Sequence, residues 1–295
     1  MRSADENSIL EIAVCSPAVQ PLLALLSSHV GGNPTQYMFE QAFAHHDLDW
    51  RYLTLEIAPE NLGDAVRGLR ALGFRGGHCA DPHKQAVLAW LDRSTPTATM
   101  VGAANLIFRQ GNALVGENTE GKGVVQTIRG RTDLAGKRVV LLGAGRVARA
   151  VAIELAAAGV AGITVVNRTE GRAGELLALL ADKFNVPVSA IPWHGDYVVP
   201  PEADLLIQAT SLGHDATQTR LPLALDSLRP ELLVADVAAT SSHNWLLSSA
   251  AQHGCETVDG LTMLIEQAAI AFQLWTGADP SREVLREAVE EFLEL

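Results

Sequence analysis

Cysteine is scarce in this chain. Cys15, Cys79 and Cys255 are odd in number and far apart, which suits reduced thiols in a cytosolic protein and excludes a frame built on disulfides. Positive charge is also short: 22 Lys and Arg against 34 Asp and Glu leave a formal charge of −12. Such a surface repels a phosphate backbone, so nucleic acid is not an expected partner. No apolar run is long enough to span a membrane. The amino terminus carries Asp5, Glu6 and Glu11, where a secretory signal has a basic start and an unbroken apolar stretch. Internal repeats and low-complexity tracts are absent as well. These absences leave a soluble, cytoplasmic protein as the expectation.

What is present is a globular composition, 48% hydrophobic and 19% charged over 295 residues, enough for roughly two domains of about 150 residues each. The clearest text is "KRVVLLGAGRVARAVAIELAAAGVAGITVVNRT". An apolar run from Val139 to Leu142 ends in Gly143-Ala144-Gly145, and Val147 to Ala158 reads as a buried helix stopping at Gly159. A second apolar run, Ile163 to Val166, completes a strand-helix-strand unit. Further strands are predicted in "ADLLIQAT" and "ELLVADVA", and the alternation implies a parallel, doubly wound sheet.

The first half alternates too. "LDWRYLTLEI" predicts a strand, "LGDAVRGLRALGF" an amphipathic helix closed by Gly73, and "AANLIFRQGNALVGEN" a hairpin turning at Gly111-Asn112. This is a second α/β lobe. After "ETVDG" the chain turns helical, with Leu261, Leu264, Ile265, Ala268, Ala269 and Phe272 spaced for one face.

Gly143-x-Gly145-x-x-Ala148, after a strand and opening a helix, is a dinucleotide fingerprint in its expected context, where glycines let backbone N–H groups approach a pyrophosphate. After the next strand an Asp or Glu would bind the ribose 2′-hydroxyl of NAD. Here the chain has Asn167-Arg168-Thr169, with Arg172 close behind. Two guanidinium groups and a hydroxyl suit a 2′-phosphate, so NADP is the expected cofactor and NAD the alternative.

Two other stretches carry titratable groups. In "GENTEGKG", Glu120 has an ordinary reading as an acid favoured in the first turn of the following helix, and a sharper one as half of an acid/base pair. In "GGHCADPHKQAVLAW", Lys84 sits after Pro82 at a loop-to-helix junction, where a solvated charge is the ordinary reading. His78, Cys79, Asp81 and His83 are metal-capable neighbours, but no second ligand cluster of known spacing accompanies them, and no metal is expected.

Taken together, "ADPHK", "GAANLI", "GENTEGKG", "GAGRVARA", "NRT", "QATSLG" and "DGLTMLIEQAAIAFQLWTG" resemble the shikimate dehydrogenase family in content and order. The resemblance runs from about residue 30 to the end. It implies an α/β protein of two lobes: a substrate-binding lobe (residues 1–121), a Rossmann NADP-binding lobe (122–259), and C-terminal helices returning to the substrate lobe (260–295). It further implies an NADP-dependent enzyme, monomeric or homodimeric, interconverting a ring ketone and a secondary alcohol on a small cyclic hydroxy acid. Lys84 matches the family's catalytic lysine, and Glu120 falls where its partner is normally Asp. Asn105 and Gln267 match amides that hold substrate hydroxyls. The cofactor side comprises Gly143, Ala144, Gly145, Arg146, Val147, Ala148, Asn167, Arg168, Thr169, Arg172, Thr210 and Gly260. In the implied mechanism Lys84, tuned toward neutrality by its surroundings, accepts the hydroxyl proton while Glu120 orients it.

The chain also departs from the family. Where Ser-x-Ser-Pro engages a substrate carboxylate, the alignment gives Asn33-Pro34-Thr35-Gln36, which makes Asn33 and Thr35 the substrate-binding candidates on that side. Asn-Val-Thr becomes His78-Cys79-Ala80, a tyrosine becomes Ala239, Thr becomes Leu106, and the Asn of the Asn-Ala-Thr-Ser-Leu-Gly segment is Gln208. Fewer hydroxyl donors predict a preferred substrate other than shikimate. The alternatives are a quinate-type dehydrogenase using NAD, a non-catalytic dinucleotide-binding regulator, and a reductase with a similar nucleotide lobe acting on glutamyl-tRNA. Retention of both Lys84 and Glu120 opposes the regulator, and the negative charge opposes the tRNA substrate.

Overall fold

The computed structural model describes residues 19–212, 220–237 and 244–295; Cys15 and Ala239 lie outside them. Two six-stranded sheets organise the chain. The first is built from β1 (Leu22–Ser27), α1 (Thr35–His45), β2 (Arg51–Glu56), α2 (Leu62–Ala71), β3 (Gly76–Cys79), α3 (His83–Ala86), β4 (Arg93–Ser94), α4 (Pro96–Val101), β5 (Leu106–Gln110) and β6 (Ala113–Glu117), and α5 (Glu120–Arg129) leads out of it. The second is built from β7 (Arg138–Leu142), α6 (Arg146–Ala157), β8 (Gly162–Asn167), α7 (Glu170–Lys183), β9 (Val188–Pro192), β10 (Leu205–Gln208), β11 (Leu233–Asp236), α8 (Trp245–Gln252) and β12 (Glu256–Val258). Helices α9 (Gly260–Thr276) and α10 (Arg282–Leu293) close the chain.

The first sheet has the order β2-β1-β3-β5-β6-β4. Strand β1 lies inside the sheet, paired in parallel with β2 and β3. Its residues obey the twofold strand period: Leu23 and Leu25 enter a core shared with α1, α9 and α10, while Ala24 and Leu26 face a core containing Leu62, Val66 and Leu69 of α2. With both faces covered, the run LLALLS shows no polar alternation.

Strand β5 is antiparallel to both β3 and β6, so β3 and β6 run in one direction and end at one edge of the sheet, the edge where β5 begins. The residues following β1, β3 and β6 and preceding β5 therefore converge there.

The second sheet is parallel throughout, in the order β12-β11-β10-β7-β8-β9. The chain runs one way from β7 through β8 and the other way through β10, which makes the carboxyl end of β7 the switch point where ligands of such sheets bind.

The spacing of apolar residues predicts one buried face for helix α9. Leu261, Ile265, Ala268, Ala269 and Phe272 are buried, whereas Leu264 is only partly so, and Met263 and Ala271 are buried as well. Met263 belongs to the core of the second lobe, whereas the others, Ala271 included, belong to the first. Contact with both cores is why the helix is apolar on more than one side. Helix α5 packs on both α6 and α9, so the boundary drawn between residues 121 and 122 falls inside a helix that itself bridges the lobes. Among the described residues no helix is long and apolar enough to cross a membrane.

Candidate active site

A cleft of about 140 Å³, open to solvent, lies at the convergent edge of the first sheet. Asn33, Thr35, His78, Lys84, Asn105, Glu120 and Gln267 give it polar walls; Leu25, Met38, Phe39 and Leu264 are among its apolar ones. All six residues assigned by resemblance to catalysis or substrate binding thus border one cavity. They come from the loop after β1, the first residue of α1, the helix after β3, the residue before β5, the first residue of α5, and α9.

Lys84 and Glu120 meet directly, Nζ donating to Oε1 at 2.5 Å across 36 residues of sequence. The short helix carrying Lys84 is pinned by its own backbone carbonyl, which accepts from Ala104 N at 2.8 Å. It is pinned again by buried His83, whose Nε2 lies 2.9 Å from the Ile57 carbonyl oxygen. Glu120 is the first residue of α5, and its N–H donates to Asn118 Oδ1. Both readings of Glu120 hold geometrically: it starts a helix and it pairs with the lysine.

The motifs around Asn105 and Asn118 interlock. Asn105 Nδ2 donates to Thr119 Oγ1 at 2.9 Å, Thr119 N donates to Asn105 Oδ1 at 2.8 Å, and Asn118 Nδ2 donates to the Ala103 carbonyl at 3.3 Å. Asn105 is therefore largely engaged within the protein, with one Nδ2 hydrogen left over for a ligand. The other acid of "GENTEGKG", Glu117, is buried and satisfied by Thr95 Oγ1, the Asn118 N–H and Lys122 Nζ. Its task is to hold the loop beneath Glu120.

Lys84 differs from the expectation of a lysine tuned toward neutrality. Burial disfavours its charge, but Glu120, aided by Asp81 with Oδ2 at 3.5 Å from Nζ, outweighs burial and holds the ammonium above its ordinary pKa. His78 moves the other way: burial, reinforced by the Lys84 charge, lowers it to about 3. A neutral imidazole therefore lines the cleft, its Nδ1 2.8 Å from the hydroxyl of buried Tyr52. Burial likewise raises the neighbouring Cys79 thiol to about 12, although Lys84 opposes the shift. Among the described residues no group of His, Cys, Asp and Glu could hold a metal ion.

On the second lobe, Gly143 follows β7 with φ +109°, and a Cβ there would come within 2.9 Å of the Ala209 carbonyl and 3.0 Å of Thr210 Cγ2. Gly145, at the start of α6, has nothing within 4 Å of where its Cβ would be. This leaves an open approach to the first amides of α6, an arrangement that accepts a diphosphate. Ala148 is buried and lets α6 lie close on the sheet, while Ala144 and Val147 pack partly on the same core. At the end of β8, Asn167 Nδ2 donates to the Thr169 carbonyl, and Arg168, Thr169 and Arg172 are exposed. Among the described residues no ion pair claims either guanidinium, so these residues fit a ribose phosphate. Gly260 opens α9 behind its N-cap Asp259. Gln208 is fully buried and shapes the loop after β10, donating to Thr210 Oγ1 and the Leu212 carbonyl.

Three participants escape the sequence reading. Tyr52 backs His78 from within an ordinary-looking strand, and Thr119 locks Asn105. The third is Asp81, which flanks Lys84 and whose signal was its place in "ADPHK". Arg146, assigned to the cofactor side, has its guanidinium on Asp81 Oδ1 and 3.4 Å from Gln85 Oε1.

Residues 25–107 match the family description "Shikimate dehydrogenase substrate binding domain", residues 124–239 match "Shikimate / quinate 5-dehydrogenase", and residues 260–290 match "Shikimate 5'-dehydrogenase C-terminal domain". The shikimate dehydrogenase (NADP(+)) of Moorella thermoacetica is 39% identical over 276 residues, 91% of this chain and 93% of the relative. A ligand-free 5-ketofructose reductase from a Gluconobacter strain superposes with TM-score 0.90 at 38% identity, covering 93% of this chain and 99% of that one. The shikimate 5-dehydrogenase of Thermus thermophilus in complex with NADP(H) and shikimate superposes with TM-score 0.77 at 31% identity, covering 93% and 100%.

Proposed function

The chain belongs to the shikimate dehydrogenase family, and on that premise we propose that it is an NADP-dependent oxidoreductase interconverting a secondary alcohol and a ketone on a small polyhydroxylated substrate. The observation that carries this reading is the Lys84–Glu120 pair at 2.5 Å on the wall of a cleft whose other polar groups are neutral donors and acceptors. Bound NADP supplies the acceptor or donor of hydride at the carbinol carbon. Lys84 holds the proton at the substrate oxygen. In reduction its ammonium donates to the carbonyl oxygen as the carbon gains hydride; in oxidation the neutral amine takes the hydroxyl proton. Glu120 orients Nζ, and the raised lysine pKa favours the charged form, which is the form reduction requires.

Asn33, Thr35, Asn105 and Gln267 are the groups that would hold substrate hydroxyls. On the cofactor side the α6 amides and Gly145 receive the diphosphate, and Arg168 with Arg172 receives the 2′-phosphate. These roles are assigned within one chain, as a monomer or a homodimer. Buried, unpaired Cys79 and Cys255 accord with a cytosolic setting.

Two substrates head the reading. The relatives' name supports the shikimate/3-dehydroshikimate couple. The second reading, a keto-sugar, is favoured by the 0.90 TM-score to 5-ketofructose reductase together with the replacements at Asn33, His78, Ala80 and Leu106. The test follows reduced-nicotinamide absorbance for shikimate, quinate and 5-ketofructose against NADP(H) and NAD(H). Highest kcat/KM for shikimate supports the first, highest for 5-ketofructose the second, and turnover of none overturns the proposed activity.

A further inference from the structure

We infer that Asp81 is a positioning residue for Lys84, and that Arg146, reaching over from the glycine turn of the other lobe, sets how much of the Asp81 charge Lys84 feels. The two oxygens of Asp81 are divided between the lobes. Oδ2 lies 3.5 Å from Lys84 Nζ, and Oδ1 accepts from Arg146 Nη2. Arg146 Nη1 also lies 3.4 Å from Gln85 Oε1, so the first residue of α6 grips the chain on both sides of the lysine. The two partners are 65 residues apart in sequence, and their contact joins the two lobes.

The groups facing Lys84 are few. Glu120 approaches from α5, Asp81 from the loop after β3, and His78 and Cys79 from β3 itself, both held neutral at ordinary pH. Glu120 is held by α5, which packs on α6 through its backbone, and no side chain of the cofactor lobe is bonded to its carboxylate among the described residues. Asp81 has such a bond: a guanidinium on its far oxygen cancels part of its field at Nζ, and loss of that guanidinium restores the field. Asp81 and Arg146 are half-exposed, with side-chain exposures of 50% and 44%, so water screens the effect and the expected shifts are modest.

The two halves of the link therefore act on the lysine with opposite sign. Asp81→Asn removes an anion beside Nζ and makes the ammonium easier to deprotonate. Arg146→Gln removes the cation that offsets that anion and makes it harder. A purely mechanical bracket between lobes would move both variants the same way.

The inference takes from the proposed activity only the importance of Lys84, and its test needs neither substrate nor cofactor. The rate at which an amine-selective acylating reagent labels Lys84 is measured against pH in the free protein, by mass spectrometry of the peptide. The labelling midpoint is expected about half a pH unit lower in Asp81→Asn and about half a unit higher in Arg146→Gln. Asp81→Glu, which keeps the charge, is expected to stay nearer wild type than Asp81→Asn, and the double variant to follow Asp81→Asn. Shifts of the same sign in the two single variants, or no shift in either, would overturn the inference, whatever the outcome of the substrate panel.

Discussion

Burial disfavours a charged ammonium, yet Lys84 keeps its proton because Glu120 sits at 2.5 Å and Asp81 at 3.5 Å. The sign of the pH dependence follows. Ketone reduction uses the protonated lysine, so its rate holds through neutral pH and falls as pH rises through the raised pKa. Alcohol oxidation uses the neutral amine and gains over the same interval. Lys84→Ala should lower kcat by roughly 10² to 10⁴ while the protein still binds NADPH. Glu120→Gln keeps the shape and removes the anion, so both limbs should move to lower pH. The check is a pair of pH–rate profiles, one per direction, for wild type and both variants. An unchanged profile for Glu120→Gln would leave Glu120 with only its helix-starting role.

At the scale of elements, the glycines of "GENTEGKG" do what the acid does not. Helix α5 is wedged between α6 and α9, and close approach requires missing side chains on two sides. A Cβ at Gly121 would sit 2.2 Å from the Ala150 carbonyl of α6; one at Gly123 would sit 2.8 Å from the Met263 carbonyl and 2.5 Å from Gln267 Cγ of α9. Helix propensity alone predicts that Ala at either position stabilises by about 1 kcal/mol. The contacts predict the reverse, a loss of about 1 to 3 kcal/mol from overpacking. Gly123→Ala should also raise KM, since it displaces the residue that reaches the cleft, whereas Gly121→Ala should leave KM near wild type. Urea unfolding with steady-state kinetics separates these effects, and a stabilised Gly123→Ala would show that α9 yields freely.

For the whole molecule, the second lobe presents the α6 amides and the exposed Arg168 and Arg172, while α5 and α9 tie that lobe to the first. A ligand that binds only the folded state adds about 2.7 kcal/mol at a hundredfold excess over its Kd. NADPH should therefore raise Tm, and NADH at the same concentration should raise it less. Arg168→Ala should remove about 1.5 to 3 kcal/mol of NADPH binding and bring the two melting temperatures together. Thermal melts of both proteins with each cofactor decide it. A larger shift with NADH in the wild type would reverse the cofactor assignment.

Local chemistry made several parts of this protein legible in its residues. The strand, glycine turn and helix at 138–157, the hairpin at Gly111-Asn112 and helix α2 each carry their signal within a short window, because turn residues and apolar period act over neighbouring positions. Strand β1 was not legible, since LLALLS is covered on both faces and shows no period until a second core is known. The candidates of the site were legible one at a time, through a resemblance spread along the chain. Their meeting was not: Lys84 reaches Glu120, Asp81 reaches Arg146 and Asn105 reaches Thr119 only because β3, β5 and β6 share an edge that faces the glycine turn. The charge on Lys84 belongs to the same class. Sequence determined that a lysine and acids were present, while the tertiary structure decided which state the lysine holds, because electrostatic energy depends on distance and burial rather than on separation along the chain.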